Sequence, residues 1–266
     1  MSAPASEPTA EEACVGRRDD GPVRILELSN PARRNAFTLA SMAALEAELD
    51  DGMRDPGVGA FVVTGAGDTF CAGIEVSVLR DATVESTHTN LEALHRVVRA
   101  VVAGSKPVVA AVEGHAVGAG FSLALAADLV VASATASFRC GFPRLGLMAD
   151  LGLLWTLPQR VGAGLTRRML LLDEEVQAAE ALRAGLADFP AAAGAALAVA
   201  TQVAQQLAAQ PRLATAMTKK VLAQGSTSLD ALLAAEIGAQ TMLHATTDFH
   251  EGVAAFTEKR PPRFGD

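Results

Sequence analysis

The segment spanning residues 106–128, KPVVAAVEGHAVGAGFSLALAAD, constrains the fold of this chain most strongly. It opens with an apolar, β-branched run whose length is typical of a buried strand. Three glycines follow within seven residues, Gly114, Gly118 and Gly120, and the apolar segment after them predicts a buried helix. A strand, a glycine turn and a helix together direct free backbone N–H groups at a negatively polarised oxygen. The glycines also let a ligand approach the backbone closely, since a Cβ there would block it.

A second glycine turn, TGAGDTFCAGIE at residues 64–75, follows another predicted strand. Two other interpretations of the glycine turn at residues 114–120 compete with the binding of a polarised oxygen. A dinucleotide fingerprint is excluded, because Leu123 stands where G-x-G-x-x-G requires its third glycine. A turn that only packs a helix on a sheet stays open on the local pattern alone. Two turns, however, can each supply one N–H to a single oxygen, which is the minimum for an oxyanion hole.

The motif FCAGIEV, followed by KPVVAAVEGHAVGAGFSLALAADLVVAS, resembles the crotonase family, also called the enoyl-CoA hydratase/isomerase family. NPARRNAF, FPRLGLMADLGLLWTLPQRVG, AAEALRAGL and EGVAAFTEKRPPRF extend the resemblance, in family order, over residues 23–264. It implies an α/β fold, a spiral of strand-strand-helix turns with a C-terminal helical trimerisation region. It also implies that the backbone N–H groups of Ile74 and Ala119 form the oxyanion hole.

Composition and charge narrow the class of protein. The net charge of −8 argues against nucleic acid as a main partner, because phosphate binding requires a basic face. Cys14, Cys71 and Cys140 include no C-x-x-C pair, which indicates neither a disulfide framework nor a zinc site and fits a reducing cytoplasm. No leader-like segment opens the chain and no apolar run is long enough to cross a bilayer. We therefore expect a soluble, cytoplasmic protein with no membrane partner.

Three regions are predicted along the chain. Residues 1–20 lack periodicity and predict a disordered tail. Residues 21–190 alternate strands with helices, which indicates an α/β core with parallel crossovers. Residues 191–266 predict helices at 191–209, 212–224, 228–245 and 248–258, bounded by Pro211, Gly225 and Pro261. Such alanine-rich helices need partners to bury enough surface, and the resemblance implies a homotrimer or a dimer of trimers.

Within the core, apolar periodicity predicts specific strands and helices. Strands are expected at residues 23–28 and 60–64. Thr38 is a candidate cap for a helix whose inward face carries the residues Leu39, Met42, Leu45 and Leu49. A later helix is expected to turn inward the residues Leu91, Leu94, Val98 and Val101.

The resemblance implies chemistry on an acyl-CoA thioester, and so a role in fatty acid metabolism. Two N–H donors on the thioester carbonyl stabilise an enolate, and each such donor is typically worth about a hundred- to a thousandfold in rate. Hydratases of the family, which are lyases, use two glutamates, and here Ser122 and Phe142 occupy the matching positions. Phenylalanine cannot transfer a proton, and a serine without a nearby base is a poor acid. The departures favour isomerisation over hydration.

Asp150 is the remaining candidate acid–base group. Some isomerase-like members of the family resemble this stretch, with an acidic residue at the matching position. One carboxylate is enough for isomerisation, which removes a proton from one carbon and returns it two carbons away. Apolar neighbours are expected to desolvate Asp150 and raise its pKa; they are Leu147, Met148, Leu151 and Leu153. The alternative is that Asp150 caps a helix starting near Leu151.

Other polar residues are assigned weaker roles. His115 is expected to be structural, and Glu75 to brace its loop. The resemblance implies that Lys259, near the C-terminus, holds coenzyme A phosphates, and that Arg34 lies near another position where the family uses a basic residue. Arg33 and Arg260 are most simply solvated. The complete set of residues predicted to contact substrate or coenzyme A is Arg34, Ala72, Gly73, Gly118, Ser122, Phe142 and Lys259.

Three classes of function follow. The first is an enoyl-CoA isomerase, with enoyl-CoA hydratase as the alternative chemistry. The second is a CoA-ester-binding protein without catalysis, which the missing glutamates would allow. The third, a serine hydrolase, is set aside because the chain has no G-x-S-x-G elbow. In the first two classes the partner is an acyl-CoA small molecule, coenzyme A arrives as part of the substrate, and no bound cofactor or metal is expected.

Overall fold

A six-stranded, mostly parallel sheet lies at the centre of the computed structural model, which describes residues 14–225 and 228–265. The strands are β1 (Cys14–Asp20), β2 (Val23–Ser29), β3 (Ala60–Gly65), β4 (Val108–Val112), β5 (His115–Val117), β6 (Leu129–Ser133), β7 (Ser137–Arg139), β8 (Val176–Gln177) and β9 (Phe189–Ala191). The large sheet has the order β1-β2-β3-β4-β6-β9, and a small second sheet has the order β5-β7-β8. From β2 to β9 every neighbouring pair in the large sheet is parallel, which confirms the predicted parallel crossovers.

Helices follow the strands in a regular way. They are α1 (Leu39–Arg54), α2 (Val76–Arg80), α3 (Val84–Ala103), α4 (Ala119–Ala126), α5 (Leu153–Leu171), α6 (Ala178–Ala184), α7 (Ala196–Ala208), α8 (Arg212–Gln224), α9 (Leu229–Leu243) and α10 (Thr247–Glu258). In two successive turns of the chain, one strand enters each sheet and a helix then follows: β4, β5, α4 and β6, β7, α5. The predicted spiral of strand-strand-helix turns is therefore confirmed.

Both faces of the large sheet are buried, which explains why its strands are continuous apolar runs. All six residues of β3 are buried. Because side chains alternate across a strand, Phe61 and Val63 join the main core, while Ala60 and Val62 pack in a second cluster. Residues of α7 complete that second cluster. The sheet is thus a rigid support, and the loops at the ends of its strands carry the candidate site.

Helix α1 is positioned by its N-terminal cap and its apolar stripe. The Thr38 hydroxyl accepts a hydrogen bond from the Ser41 backbone N–H, and the Ser41 hydroxyl accepts one from that of Thr38. Met42, Leu45 and Leu49 are buried as predicted. Leu39 was expected beside them but is 48% exposed. At about 100° per residue it lies roughly 90° from the mean direction of the other three, outside the stripe.

The inward face of α3 agrees with its prediction. Leu94 and Val101 are buried, and Leu91 and Val98 are partly buried against the main core. A capping box of Thr83 and Ser86 begins the helix. The helix therefore packs through the expected stripe.

The predicted disordered tail extends too far. Residues 14–20 form β1, which pairs antiparallel with β2 through a tight hairpin at Gly21 and Pro22. Sequence periodicity missed it because an edge strand with few apolar residues, here GRRDD, resembles a loop in composition. The part of the predicted tail at residues 1–13 lies outside the described residues.

The boundary predicted at residue 191 is displaced. Phe189–Ala191 is β9, paired with β6, and the first C-terminal helix begins only at Ala196. That helix, α7, packs on the large sheet and so belongs to the core. The later helices α8, α9 and α10 match their predicted positions to within two residues at either end.

Helix α8 is anchored to the core by a buried lysine. Lys219 is 6% exposed and forms an ion pair with Asp128 while donating to the Val101 carbonyl oxygen at 3.1 Å. Asp128 also accepts the Val108 backbone N–H at 2.7 Å. By contrast, α9 buries none of its residues in the single chain. In the described residues, no helix is long and apolar enough to cross a membrane.

Arg24 ties β1, β2 and α1 together. Its side chain is fully buried and donates to three carboxylates: Asp19 at 3.0 Å, Asp51 at 2.7 Å and Asp55 at 3.0 Å. Hydrogen bonding from Arg24 lowers the pKa of Asp19 and of Asp51 below its ordinary value. Stability from such carboxylates is present above their unfolded pKa and is lost as pH falls through the folded one.

We expect Arg24→Ala to lower the Tm at pH 7 by roughly 5–10 °C, because the substitution leaves three carboxylates around an emptied buried site. Below about pH 4 the difference from wild type should begin to shrink, because the unfolded chains bind protons there, and it should vanish only at a lower pH, where the wild-type carboxylates with their lowered pKa are protonated too. Arg17→Ala is the control, because Arg17 is 38% exposed and contacts two of the same carboxylates; its Tm should fall by less than about 3 °C. Thermal unfolding followed by circular dichroism measures both, and equal effects would contradict the assignment.

Candidate functional site

The two glycine turns lie against each other. The Cys71 backbone N–H donates to the His115 carbonyl oxygen, and the Val117 N–H donates to the Cys71 carbonyl oxygen, each at 3.0 Å. The turn at residues 64–75 therefore runs alongside β5 and reaches the other glycine turn beside Gly118. A Cβ added to Gly73 would stand 3.1 Å from the Val117 carbonyl oxygen and 3.6 Å from the Ala119 nitrogen. The structure thus brings together the turns that the sequence predicts to act jointly.

The N–H groups of Ile74 and Ala119 are both free of acceptors among the described residues. Phe37 donates to the Gly73 carbonyl oxygen at 2.7 Å and accepts from the Glu75 N–H at 2.9 Å. This parallel bridge leaves the Ile74 N–H facing away from Phe37. Ala119 is the first residue of α4, where helical N–H groups have no intrahelical partner.

Positive φ angles fix the direction of both turns. Gly73 has a φ of 103°, and Gly118, which caps α4, has a φ of 55° and a ψ of −123°. Side chains with a Cβ rarely adopt such angles. Two adjacent N–H groups without acceptors, held by rigid turns, are what an oxyanion hole requires.

Neither position matching a hydratase glutamate carries an acid here. Ser122 is fully buried in α4, and its hydroxyl lies 3.2 Å from the Gly118 carbonyl oxygen and 3.1 Å from that of Asp150. Phe142 is 6% exposed and begins a 3-10 turn over residues 142–145. The site is therefore apolar at one of these positions and has an internally hydrogen-bonded hydroxyl at the other.

Asp150 carries a carboxyl group with one buried oxygen that is not hydrogen-bonded. Its Oδ1 atom is buried and has no hydrogen-bond partner among the described residues. Burial raises the pKa of Asp150 to about 6, although a hydrogen bond from its own backbone N–H opposes the rise. A carboxyl group with this pKa gains and loses protons near neutral pH. A general base that must also return the proton needs this property.

The alternative role for Asp150, a helix cap, is wrong in this structure. Helix α5 begins at Leu153, its cap residue is Gly152, and no side chain caps it. The predicted apolar enclosure is half right. Leu151 and Leu153 are buried, but Leu147 is 48% and Met148 73% exposed, because they lie on the exposed segment that leads to Asp150.

Sequence reasoning missed Asp173, which braces the turn before Phe142. Its carboxylate accepts the Gly141 backbone N–H at 2.7 Å, the Arg139 side chain at 2.8 Å and the Arg144 side chain at 2.7 Å. Burial by itself would raise the pKa of Asp173, but these hydrogen bonds together lower it below its ordinary value. The partners lie about thirty residues away in sequence, so no local pattern could have revealed the cluster.

Two cavities, of about 490 and 390 Å³, flank the turns. Arg34 and Ala72 line both, and the Ala72 backbone N–H donates to the Arg34 carbonyl oxygen at 3.0 Å. Ile74 lines the larger cavity, and Gly141 lines the smaller one. Arg34 is exposed, so its guanidinium is available to a ligand entering either cavity.

The remaining predicted polar residues fall into two groups. Near the turns, His115 lies 2.8 Å from the Ser137 hydroxyl through Nδ1, and Glu75 accepts from the Ser77 hydroxyl at 3.0 Å and lies 3.9 Å from Arg33. These contacts fit the structural roles expected for His115 and Glu75.

At the C-terminus, Arg260 was expected to be solvated but is paired with Glu251 and Glu258, each at 2.6 Å. Lys259 ends α10 with a φ of 55° and is exposed. Among the described residues no hydrogen bond joins Lys259 to the glycine turns; its backbone N–H donates to the Phe256 carbonyl oxygen at 3.3 Å.

Gly120 offers a test of the turn contact. A Cβ there would stand 2.4 Å from the Cys71 carbonyl oxygen, so Gly120→Ala should force α4 away from the turn at residues 64–75. We expect a loss of roughly 1–3 kcal/mol in the free energy of unfolding, measured by urea denaturation. Gly164→Ala is the control, because a Cβ at this helical position in α5 meets nothing within 4 Å, and it should be neutral or stabilising. Equal stability of the two variants would show that the turns are not in contact.

Comparison with known proteins agrees with this geometry. The model of the enoyl-CoA hydratase/isomerase family matches residues 19–266. A probable enoyl-CoA hydratase of Rhodobacter capsulatus is 39% identical over 253 residues, covering 90% of this chain and 93% of the relative. The 1,2-epoxyphenylacetyl-CoA isomerase of Escherichia coli is 34% identical over 254 residues, covering 91% of this chain and 94% of that one.

The fold comparison gives the same answer. The crystal structure of an enoyl-CoA hydratase from Polaromonas superposes with a TM-score of 0.90 at 35% identity, covering 94% of this chain and 99% of that chain. Together with the paired glycine turns and the spiral topology, these matches show that the chain belongs to the enoyl-CoA hydratase/isomerase family, the crotonase family.

Proposed function

We propose that this protein is an enoyl-CoA isomerase that moves a carbon–carbon double bond through an enolate, with Asp150 as its acid–base group. The observation that carries the proposal is the Asp150 carboxyl group, whose buried Oδ1 has no partner among the described residues and whose pKa is raised to about 6. The free N–H groups of Ile74 and Ala119 support the enolate half of the chemistry.

The reaction needs three contributions from the chain. The Ile74 and Ala119 N–H groups donate to the thioester oxygen and stabilise the negative charge that develops there. The Asp150 carboxylate removes a proton from C2 of a 3-enoyl-CoA, and the electron pair delocalises into the thioester as an enolate. The protonated Asp150 then returns the proton at C4, and the double bond comes to lie between C2 and C3. The reaction as proposed uses no cofactor beyond the coenzyme A of the substrate.

Hydration is the second candidate function. The Rhodobacter and Polaromonas relatives carry hydratase names, and the E. coli relative carries an isomerase name. Ser122 and Phe142 argue against hydration. They occupy the glutamate positions, and neither side chain carries a carboxylate that could bind and activate a water. Isomerisation is favoured because it needs one carboxylate, and Asp150 supplies one.

Coenzyme A binding and assembly complete the proposal. Arg34 is exposed at both cavities beside the turns and is placed to meet a phosphate. We propose that Lys259 serves the site of a neighbouring subunit in a homotrimer or a dimer of trimers. Apolar side chains on α9 and α10 support assembly, since Leu229 is 68%, Ile237 70% and Phe256 88% exposed.

The isomerase proposal predicts that the protein converts 3-enoyl-CoA to 2-enoyl-CoA faster than it hydrates 2-enoyl-CoA. Asp150→Asn should lower the isomerase kcat by about a hundred- to ten-thousandfold, because it keeps the shape and removes the base. The wild-type kcat should rise with pH through about 6, since the carboxylate form abstracts the proton. Purified protein assayed with both substrates from pH 5 to 8 gives all three results.

Asp50→Asn serves as the control, because Asp50 lies on the exposed face of α1 outside the site; its kcat should match that of wild type. Hydration at typical enzyme rates of about 1 to 1,000 per second would overturn the preference for isomerisation. Binding of acyl-CoA without turnover of either substrate would support the non-catalytic alternative.

Lys259→Ala should raise the KM for acyl-CoA several-fold and leave kcat within about twofold, as loss of uniform binding does. Lys220→Ala, which removes an exposed lysine of α8, is the matched control and should leave KM unchanged. Multi-angle light scattering on wild type should report three or six copies. An unaltered KM in the Lys259 variant would contradict its role, and a monomer would contradict the assembly.

A further inference from the structure

We propose that Ser122 is a positioning residue, whose buried hydroxyl holds the main chain of Asp150 against the first turn of the oxyanion helix α4. This inference rests on the proposed function, because it concerns the placement of the proposed base. It gives a role to a side chain that occupies a glutamate position of hydratases and cannot itself transfer protons.

The Ser122 hydroxyl lies between two carbonyl groups. It is 3.2 Å from the Gly118 oxygen and 3.1 Å from the Asp150 oxygen, and the side chain is fully buried. A hydroxyl has one hydrogen, so Ser122 shares its donation between these acceptors or alternates between them. One side chain thereby joins the turn that precedes Ala119 to the residue that carries the carboxyl group.

The joint spans a short distance. Ser122 follows Ala119 by three residues, which is about 4.5 Å along a helix axis. The free N–H of Ala119 and the Ser122 side chain that meets the Asp150 carbonyl oxygen therefore lie on the same short helix. The Ser122 hydrogen bond links the main chain of Asp150 to that helix.

The backbone after Asp150 needs such an anchor. Leu151 has a φ of 50° and Gly152 a φ of 77°, two left-handed residues in a row. A branched side chain in this region is strained, and it persists only where the surroundings over-determine the conformation. Ala149 is buried in the main core, but the segment before it gives little further support, because residues 144–148 are exposed.

The carboxyl group itself offers no alternative anchor through its Oδ1 atom, which is without a partner among the described residues. The position of the base is thus decided by its main chain. Two donors hold the Asp150 carbonyl oxygen: the Leu153 N–H at 3.0 Å and the Ser122 hydroxyl. Of these, only Ser122 leads to the oxyanion helix.

The first test is kinetic. Ser122→Ala should lower the isomerase kcat by about tenfold to a hundredfold, because a base displaced by a fraction of an ångström to an ångström loses its alignment. KM should stay within about twofold, since the oxyanion and coenzyme A contacts remain. Ser122→Cys, which keeps the size and a weak donor, should fall between wild type and the alanine variant.

Thr156→Val is the matched control. Like Ser122, Thr156 is buried and donates its hydroxyl to the carbonyl of the glycine that caps its own helix, here Gly152 at 3.3 Å. Thr156 makes no hydrogen bond to Asp150. The kcat of the Thr156→Val variant should therefore equal that of wild type. Loss of kcat in both variants would assign the effect to general loosening and overturn the inference.

Folding is expected to survive the alanine substitution. The Gly118 oxygen still accepts the Ser122 backbone N–H at 2.9 Å, and the Asp150 oxygen still accepts the Leu153 N–H. Circular dichroism and gel filtration check this. If the alanine variant does not fold, the cysteine variant carries the same comparison.

The second test does not depend on turnover. The Asp150 carboxyl signal is assigned by 13C-aspartate labelling as the resonance missing in Asp150→Asn, and it is titrated from pH 3 to 8. In wild type the midpoint should be near 6. In Ser122→Ala it should move down toward the ordinary value of about 4, because a freed loop lets water reach the carboxylate. In Thr156→Val it should not move.

The two tests separate the inference from the proposed function. If wild type shows no isomerase activity but the Asp150 midpoint falls in Ser122→Ala alone, the proposed reaction is wrong and the positioning contact stands. If wild type isomerises and Ser122→Ala retains both kcat and midpoint, the reaction stands and the inference is overturned.

Discussion

The close approach of two glycine turns is the constraint on which the site depends. Gly120 lies so near Cys71 that a single methyl group would collide with its carbonyl oxygen. Gly73 and Gly118 adopt backbone angles that place one free N–H on each turn. The turn with Gly73 follows β3 of the large sheet, and Gly118 follows β5, which comes directly after the adjacent parallel strand β4. Remote packing, such as the buried Arg24 that joins β1, β2 and α1, keeps that sheet intact.

Features with a local signature were predictable from the sequence. The apolar runs of β3 and β4, the cap at Thr38 and the glycines of the two turns each act within a few residues, so their pattern is complete in a short window. The two strands and the cap agree with the predictions, but the predicted glycine turn before α4 is interrupted by the short strand β5 between Gly114 and Gly118. The resemblance to a known family then ordered these pieces along the chain and singled out Asp150.

Features that depend on distant partners were not predictable. β1 has few apolar residues, and its place becomes evident only through its pairing with β2. Asp173 gathers partners from about thirty residues away. The exposure of Leu147 and Met148 likewise depends on how the segment before α5 crosses the surface. Composition cannot encode these arrangements, because each is decided by tertiary packing.

The burial of Ser122 has a consequence for how reaction types can diverge on this scaffold. All eight residues of α4 are buried, so a glutamate at position 122 would need the volume around the serine and would remove the hydroxyl that meets the Asp150 carbonyl. Residue 122 therefore affects the acid–base site without touching the Asp150 carboxyl group, because its hydroxyl meets only the main-chain oxygen of that residue. A change of residue at position 122 would alter how the backbone of residue 150 is held, whatever chemistry the new side chain brings.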